Sequence, residues 1–385
     1  MGILSLFFIA LTFALPLLIA MRSPRAPISL MFLAAIIHTT AVAIQDKLLK
    51  STNSDAHLYY YDLDSYMAQP IQLGTSLIVY STYWLKTYLN ASFTDLMYLF
   101  GMAGSAAIML LLNFIASNPQ KGGRFFPYCA CFLPGLHFWT SSIGKDSLIA
   151  LGMALVVTGV TKLPQKILGF IIGIGIIMLI RTHIAIILLG AFVIAKLMFD
   201  NRIGGRITLL ALAALSMPAV YFATQSFLGI NILNLNELSS FFQDRQTYVS
   251  SSEDQGVTFI ANPFARLGYF LLRPFFFDAN NLLALIASFE NLALLLVVGR
   301  LMFLWSRSSV AERVTPAFLL LFTISLSLFL GFTGYNVGLA LRQKVMVYPA
   351  IVILLTIMEA SSMLHTPMSA RRPRTRQTRL NVLGA

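Results

Sequence analysis

Apolar runs of membrane-crossing length, separated by short loops bearing Arg and Lys, recur along this chain and restrict what it can fold into. In hydrocarbon each backbone N–H and C=O must be satisfied within the protein, so long apolar runs fold as helices. Apolar residues make up 57% of the 385 positions and charged residues only 11%, a balance that water does not keep dissolved. The expected fold is therefore all-α, a polytopic membrane helix bundle. Its first run, 2–20, is near the ~20 residues a crossing needs and has no basic stretch before it, so a spanning helix is expected there, not a leader.

Apolar length and flanking charge predict eleven spans, at 2–20, 28–44, 91–116, 125–142, 147–161, 167–181, 183–199, 207–229, 281–305, 315–334 and 345–363. Those between 125 and 199 are short, which predicts tilt or broken helices. Threading them alternately puts Arg22, Arg25, Lys121, Arg124, Lys162, Lys166, Arg202, Arg206, Arg307, Arg313 and the tail 371–379 on one side. Basic loops mark the cytoplasm, so the N-terminus is expected outside and the C-terminus inside. The chain then divides into one transmembrane domain, 1–366, and a basic tail, 367–385, too polar to pack and expected to rest disordered on anionic lipid. The net charge of +12 is spread over separate loops, which argues against nucleic acid as a partner and for membrane lipid. Cys129 and Cys131, one residue apart in an apolar stretch, read as packing residues.

The informative residues are the cations that this threading leaves on the outer side, where Lys and Arg are scarce: Lys145, Arg181, Arg273, Arg342 and Lys344. Cations at such positions mark sites or internal salt bridges. Two longer outer connections, 45–90 and 230–280, each hold an apolar stretch, 71–89 and 264–277, expected to lie at the interface. The polar run 250–256 reads as a mobile loop. In SDAHLYYYDLDSY, Asp55 and His57 are candidate bases toward a hydroxyl, Tyr59 and its neighbours offer faces to sugar rings, and a solvated acidic loop is the plain alternative. In LPGLHFWTSSIGKDS, Trp139 suits an interfacial belt, and Lys145 with Asp146 opens a helix that is able to cap itself or meet phosphate. The nucleotide-loop spacing is missing there, which excludes an ATPase. Arg181 stands between two apolar runs beside His183, a candidate proton carrier, and needs an anion or an internal carboxylate. In NVGLALRQK, Arg342 and Lys344 on one short turn suit a diphosphate, with Asn336 in support, and Arg273 with Asp278 and Glu290 is a weaker candidate.

The order of FWTSSIGKD, the Arg-Thr-His step, RPFFFDANN, ASFEN and NVGLALRQK resembles the repeat-unit polymerase family of bacterial surface polysaccharides, which is related to O-antigen and exopolysaccharide polymerases. The resemblance implies an enzyme of the bacterial inner membrane that acts on an undecaprenyl-diphosphate-linked oligosaccharide at the periplasmic face. It implies no cofactor and no metal, with chain-length regulators or export proteins as partners. Arg181 and Arg342 match by position the outward arginines that hold the diphosphate in that family. Arg245 is almost alone in a loop where polymerases carry several arginines, which departs from the pattern. A C-type glycosyltransferase using a lipid-phosphate sugar, with Asp55 as its acid, and a flippase for a lipid-linked glycan remain the alternatives.

Overall fold

The computed structural model describes residues 2–199 apart from 53, 69–73, 119–122 and 164, then 262–306, 314–333 and 337–361, with isolated positions between 206 and 243. Every regular element among the described residues is helical. The chain opens with α1 (Ile3–Arg22) and α2 (Ile28–Leu49), joined by a turn that holds Pro24 and Pro27. Three short helices follow, α3 (Asp55–Tyr61), α4 (Leu63–Met67) and α5 (Thr75–Leu89). The long α6 (Phe93–Ser117) begins at a capping box: Ser92 Oγ accepts from Asp95 N at 3.2 Å, and Asp95 Oδ2 accepts from Ser92 N at 2.8 Å. Ser5 of α1 donates to the same carboxylate, which ties the first helix to the central one.

After α6 the chain turns through α7 (Phe125–Cys131) and α8 (Pro134–Trp139) into α9 (Lys145–Val160), α10 (Ile167–Ile180) and α11 (Thr182–Phe199). The described C-terminal part comprises α12 (Pro263–Leu272), a 3-10 turn at Phe276–Asp278, α13 (Leu282–Ser306), α14 (Val314–Thr333), α15 (Val337–Lys344) and α16 (Tyr348–Ser361). Helices α6, α9 and α16 are buried on most faces and form the centre, with α1 and α2 packed on α6, α10 on α9, and α11 against α14. A side chain at Gly173 would place its Cβ 2.6 Å from the Gly152 carbonyl, so two facing glycines let α9 and α10 touch backbone to backbone. Close approach of this kind drives helix association where lipid removes the hydrophobic contrast. The outer helices show the complementary pattern: on α13 Leu282, Phe289, Leu296 and Met302 are all exposed, as a lipid-facing surface requires.

Six described helices are long and apolar enough to cross a membrane, namely α1, α2, α6, α11, α13 and α14, and α15 with α16, which meet at 49°, make a seventh if they form one broken span. Of the remaining expected spans, 125–142 is divided between α7 and α8, α9 has 16 residues, α10 has 14, and 207–229 falls outside the described residues apart from isolated positions. The described part of the apolar stretch at 71–89 forms α5 from Thr75 onward, and the one at 264–277 forms α12 and the 3-10 turn. The loop run 250–256, Arg245 and the tail 367–385 also lie outside the described residues. Residues 337–344, read from sequence as a short turn, form a helix, because Leu, Ala, Arg, Gln and Lys are all good helix formers. Both cysteines are free, Cys131 buried and Cys129 exposed.

Helix directions give the bundle two ends. At one end Thr94 of α6 bonds Asp46 of α2 and Lys50 just beyond that helix, at 3.0 and 2.7 Å. At the other, Ser23 and Ser117 hydroxyls lie 3.5 Å apart, and Arg300 of α13 grips Glu359 of α16 at 2.7 and 2.9 Å.

Candidate functional site

Residues from four distant stretches of chain meet at the first of these ends. Arg181 is the break between α10 and α11: its backbone (φ −145°, ψ 79°) leaves the helical region while its N–H still closes the last turn onto Ile177 O at 2.7 Å. The guanidinium is thereby held at the helix junction, where Arg181 Nη2 donates to Asp146 Oδ1 at 3.3 Å. Asp146 sits in the first turn of α9, a position where the helix dipole favours a carboxylate. Its second oxygen accepts from Arg342 Nε of α15 at 2.5 Å. Arg342 reaches on to Asp55, donating from Nη1 to Oδ2 at 2.8 Å.

Exposure rises along this chain of charges and gives it a direction. The side chain of Asp146 is 5% exposed, Arg181 14%, Arg342 25% and Asp55 51%. The Asp146 end is therefore closed in protein and the Asp55 end is open. Arg181 Nε is buried and meets no hydrogen-bond acceptor among the described residues, an unusual state for a guanidinium donor.

Lys145 adds a third cation, within electrostatic range of Asp55, Asp146, Arg181 and Arg342. Its ammonium donates to Thr75 Oγ1 at 3.0 Å. Gly74 makes this contact possible: it has φ +95°, and a Cβ there would lie 2.5 Å from the Ile180 carbonyl, so only glycine lets the start of α5 lie against the end of α10. Thr75 also faces Tyr59, whose hydroxyl is pushed up to about 12 by burial and by the negative charge of Asp55. Tyr59 thus stays a neutral donor at physiological pH. Three cations oppose two carboxylates, one of them half in solvent, so the open end carries a positive surplus. Such an arrangement can bind an anion with several oxygens.

The other expected site residues make no hydrogen bond to this chain of charges among the described residues. His57 packs tilted against Tyr61 with centroids 4.4 Å apart, and its Nδ1 is buried with no hydrogen-bond partner among the described residues. His183 packs on Phe329 at 5.3 Å, within electrostatic range of Arg181 and Lys145. Trp139 is half-buried at the end of α8, edge-on to Phe138 at 5.1 Å. Arg273 forms a two-pronged pair with Asp278 at 2.8 and 2.6 Å and lies over the Tyr269 ring. Lys344 has no exposed surface; its amine donates to Asn291 Oδ1 at 2.6 Å and to the Arg273 carbonyl at 2.9 Å. Asn336 lies outside the described residues.

Sequence reasoning missed Gly74, Thr75 and Asn291. A glycine followed by a threonine at the start of an apolar helix was the available signal for the first two. Asn291 gave none beyond its place next to Glu290. Among the described residues no three of His, Cys, Asp and Glu come together in a way that could hold a metal. Compared with family models, curated proteins and solved structures, the chain matches none.

Proposed function

We propose that this protein is a glycosyltransferase that polymerises lipid-diphosphate-linked oligosaccharide repeat units at the outer face of a bacterial inner membrane. The observation that carries the reading is the convergence of Arg181 and Arg342 on Asp146, with Lys145 beside them, at one end of a membrane bundle. A lipid diphosphate is the anion that suits a site at the mouth of such a bundle, because its tail stays in the bilayer while its phosphates reach helix ends. Breaking the bond between the anomeric carbon and phosphate leaves added negative charge on the departing diphosphate. Cations fixed beside those oxygens stabilise the transition state more than the bound substrate. Arg181, Arg342 and Lys145 take that role, and the acceptor hydroxyl draws its base from Asp55, His57 or His183.

In this reading the chain crosses eleven times, with the N-terminus outside and the C-terminus in the cytoplasm. The loops bearing most of the basic residues then lie inside, as positive loops do. Support comes from the grouping of ends: the residues assigned outside, Asp55, Asp146, Arg181 and Arg342, share one end of the bundle. Ser23 and Ser117, both assigned inside, share the other. The segment 125–142 crosses as the broken pair α7 and α8. The 14-residue α10 spans about 21 Å, and crosses where the bundle shields its ends from hydrocarbon.

The test is to replace Arg181 and Arg342 singly by Ala in the native host and to resolve the surface glycan by chain length, with each variant checked for normal abundance. Loss of long chains with single repeats retained supports a polymerase. Loss of all glycan points to an earlier transferase or a flippase, and an unchanged ladder refutes the reading.

A further inference from the structure

The two carboxylates of the cluster differ in what they are free to do. Asp146 is buried, both of its oxygens are taken by guanidinium donors, and it opens a central helix. Moving it would orphan Arg181 and Arg342 together. Asp55 is half exposed, among the described residues only its Oδ2 is engaged, and it stands in the first turn of the short α3. Ser54 caps that helix, accepting from His57 N at 3.3 Å, and buried Ala56 and Tyr59 anchor it, so the helix stays in place while the Asp55 side chain turns.

We propose that the Asp55 carboxylate occupies the position of a substrate phosphate oxygen on Arg342, is displaced when the diphosphate binds, and then serves as the general base for the acceptor hydroxyl. The proposal rests on reading the cluster as a diphosphate site. Arg342 keeps Nε on Asp146 and exchanges only its Nη1 partner, so the planar fork needs no new orientation. Release of Asp55 leaves Lys145, Arg181 and Arg342 facing the incoming anion against Asp146 alone. The groups that bear on Asp55 are Arg342, Arg181, Lys145, Tyr59 and Tyr66. Once Arg342 turns to phosphate, the freed carboxylate has lost its direct cation, and the half-exposed side chain is free to turn toward the acceptor hydroxyl.

The step balances. The acceptor O–H gives its proton to Asp55, and the oxygen's electron pair forms the bond to the anomeric carbon. The bond from that carbon to the diphosphate oxygen breaks, and its electron pair leaves with the lipid diphosphate. Asp55 returns the proton to water and pairs again with Arg342 as the diphosphate departs, which resets the site.

The experiment measures binding of inorganic diphosphate to the purified full-length protein in nanodiscs by calorimetry, alongside the glycan ladder of the native host. Asp55→Asn is expected to bind diphosphate about fivefold more tightly, the size of effect that follows from removing one half-exposed competing ion pair, and to lose the ladder. Asp146→Asn is expected to bind more weakly. Weaker or unchanged binding in Asp55→Asn, with Arg342→Ala abolishing it, overturns the displacement while the diphosphate site stands. A normal ladder in Asp55→Asn overturns the base. If neither the wild type nor any variant binds diphosphate and the ladder ignores Arg342→Ala, the functional reading fails and this inference with it. Asp55→Glu, which keeps a carboxylate and the fold of α3, is expected to retain part of the ladder; its complete loss at normal abundance counts against a base at this position.

Discussion

Arg342 and Lys344 are two residues apart on one helix, yet they belong to chemically different regions of the molecule. Residues i and i+2 of an α-helix are turned about 200° from each other, so neighbours in sequence face opposite ways. Arg342 faces a chain of charges that ends at the half-exposed Asp55. Lys344 faces a closed polar knot in which Asn291 Oδ1 and the Arg273 carbonyl take its amine. In the same knot Glu290 accepts from Gly135 N and from the Tyr348 hydroxyl, each at 2.5 Å, and Asn291 Nδ2 donates to Pro274 O at 2.8 Å. The knot thus ties α8, α13, α15, α16 and the segment after α12 together. A buried network whose members are satisfied rigidifies a core. The cluster around Arg342 instead keeps an unpartnered donor and a displaceable carboxylate, which suits a ligand. Charge type does not separate the two regions; access and the identity of the partners do.

The sharpest way to break this contrast is to remove each cation in turn. Arg342→Ala is expected to weaken inorganic diphosphate binding by about 2–5 kcal/mol, the cost of truncating one partner of a buried charge-assisted pair, and to abolish long glycan chains, with little change in thermal stability in detergent. Lys344→Met is expected to do the reverse. It orphans two buried acceptors at a cost of about 1–3 kcal/mol each, which a lower Tm would report, while diphosphate affinity of the folded fraction stays within about twofold of wild type. If Lys344→Met abolishes diphosphate binding at an unchanged Tm, Lys344 belongs to the site and the contrast is wrong.

A smaller effect sharpens the boundary of the cluster. Gly74→Ala forces a side chain into a left-handed backbone position and against the Ile180 carbonyl. Strain of this kind costs about 1–3 kcal/mol. The expected result is a displaced α5, loss of the Lys145 contact with Thr75, and weaker diphosphate binding with Arg342 and Arg181 intact. Serine at 74, which meets the same clash, is expected to behave as alanine does; wild-type affinity in both variants would remove α5 from the site.

The fold class was legible because hydrophobic length is a local property that a bilayer reads directly. Helix count was less so, since 125–142 is largely apolar but bends at Leu133–Pro134, where the fixed φ of proline starts a new helix. In the site, Asp55, Lys145, Asp146, Arg181 and Arg342 stood out in sequence because the threading left them at outer ends. The pairing among them was not legible, because Asp146 and Arg342 are 196 residues apart and tertiary packing, with α16 following α15 against α9, brings them together. Lys344 was grouped with Arg342 because 337–344 was read as a turn; as a helix it sends the two cations apart. Asn291 carries no charge, and an uncharged side chain in an apolar run gives no sign of what it will meet; Thr75 had only the glycine before it as a signal.

Arg273 stands between the two regions and supplies the smallest test. Its carbonyl belongs to the Lys344 knot, while its guanidinium, 27% exposed, is held by Asp278. The hydrogen bonds from Arg273 hold the Asp278 carboxyl below the usual carboxylate range. A carboxylate depressed in the folded state adds stability that is fully present above its unfolded value, about pH 4, and that fades as pH falls through the lower folded value. Wild type is therefore expected to exceed Asp278→Asn in Tm at pH 7, by the equivalent of about 0.2–1 kcal/mol for a partly exposed pair, and the gap is expected to close on acidification below about pH 4. A gap that widens toward acid would mean that the pair does not hold the carboxylate ionised. The same variant asks whether Arg273 is kept out of the diphosphate site only by its partner. Diphosphate affinity unchanged in Asp278→Asn leaves Arg273 a structural neighbour of the knot, whereas tighter binding moves it to the side of Arg342 and makes the border between the regions one carboxylate wide.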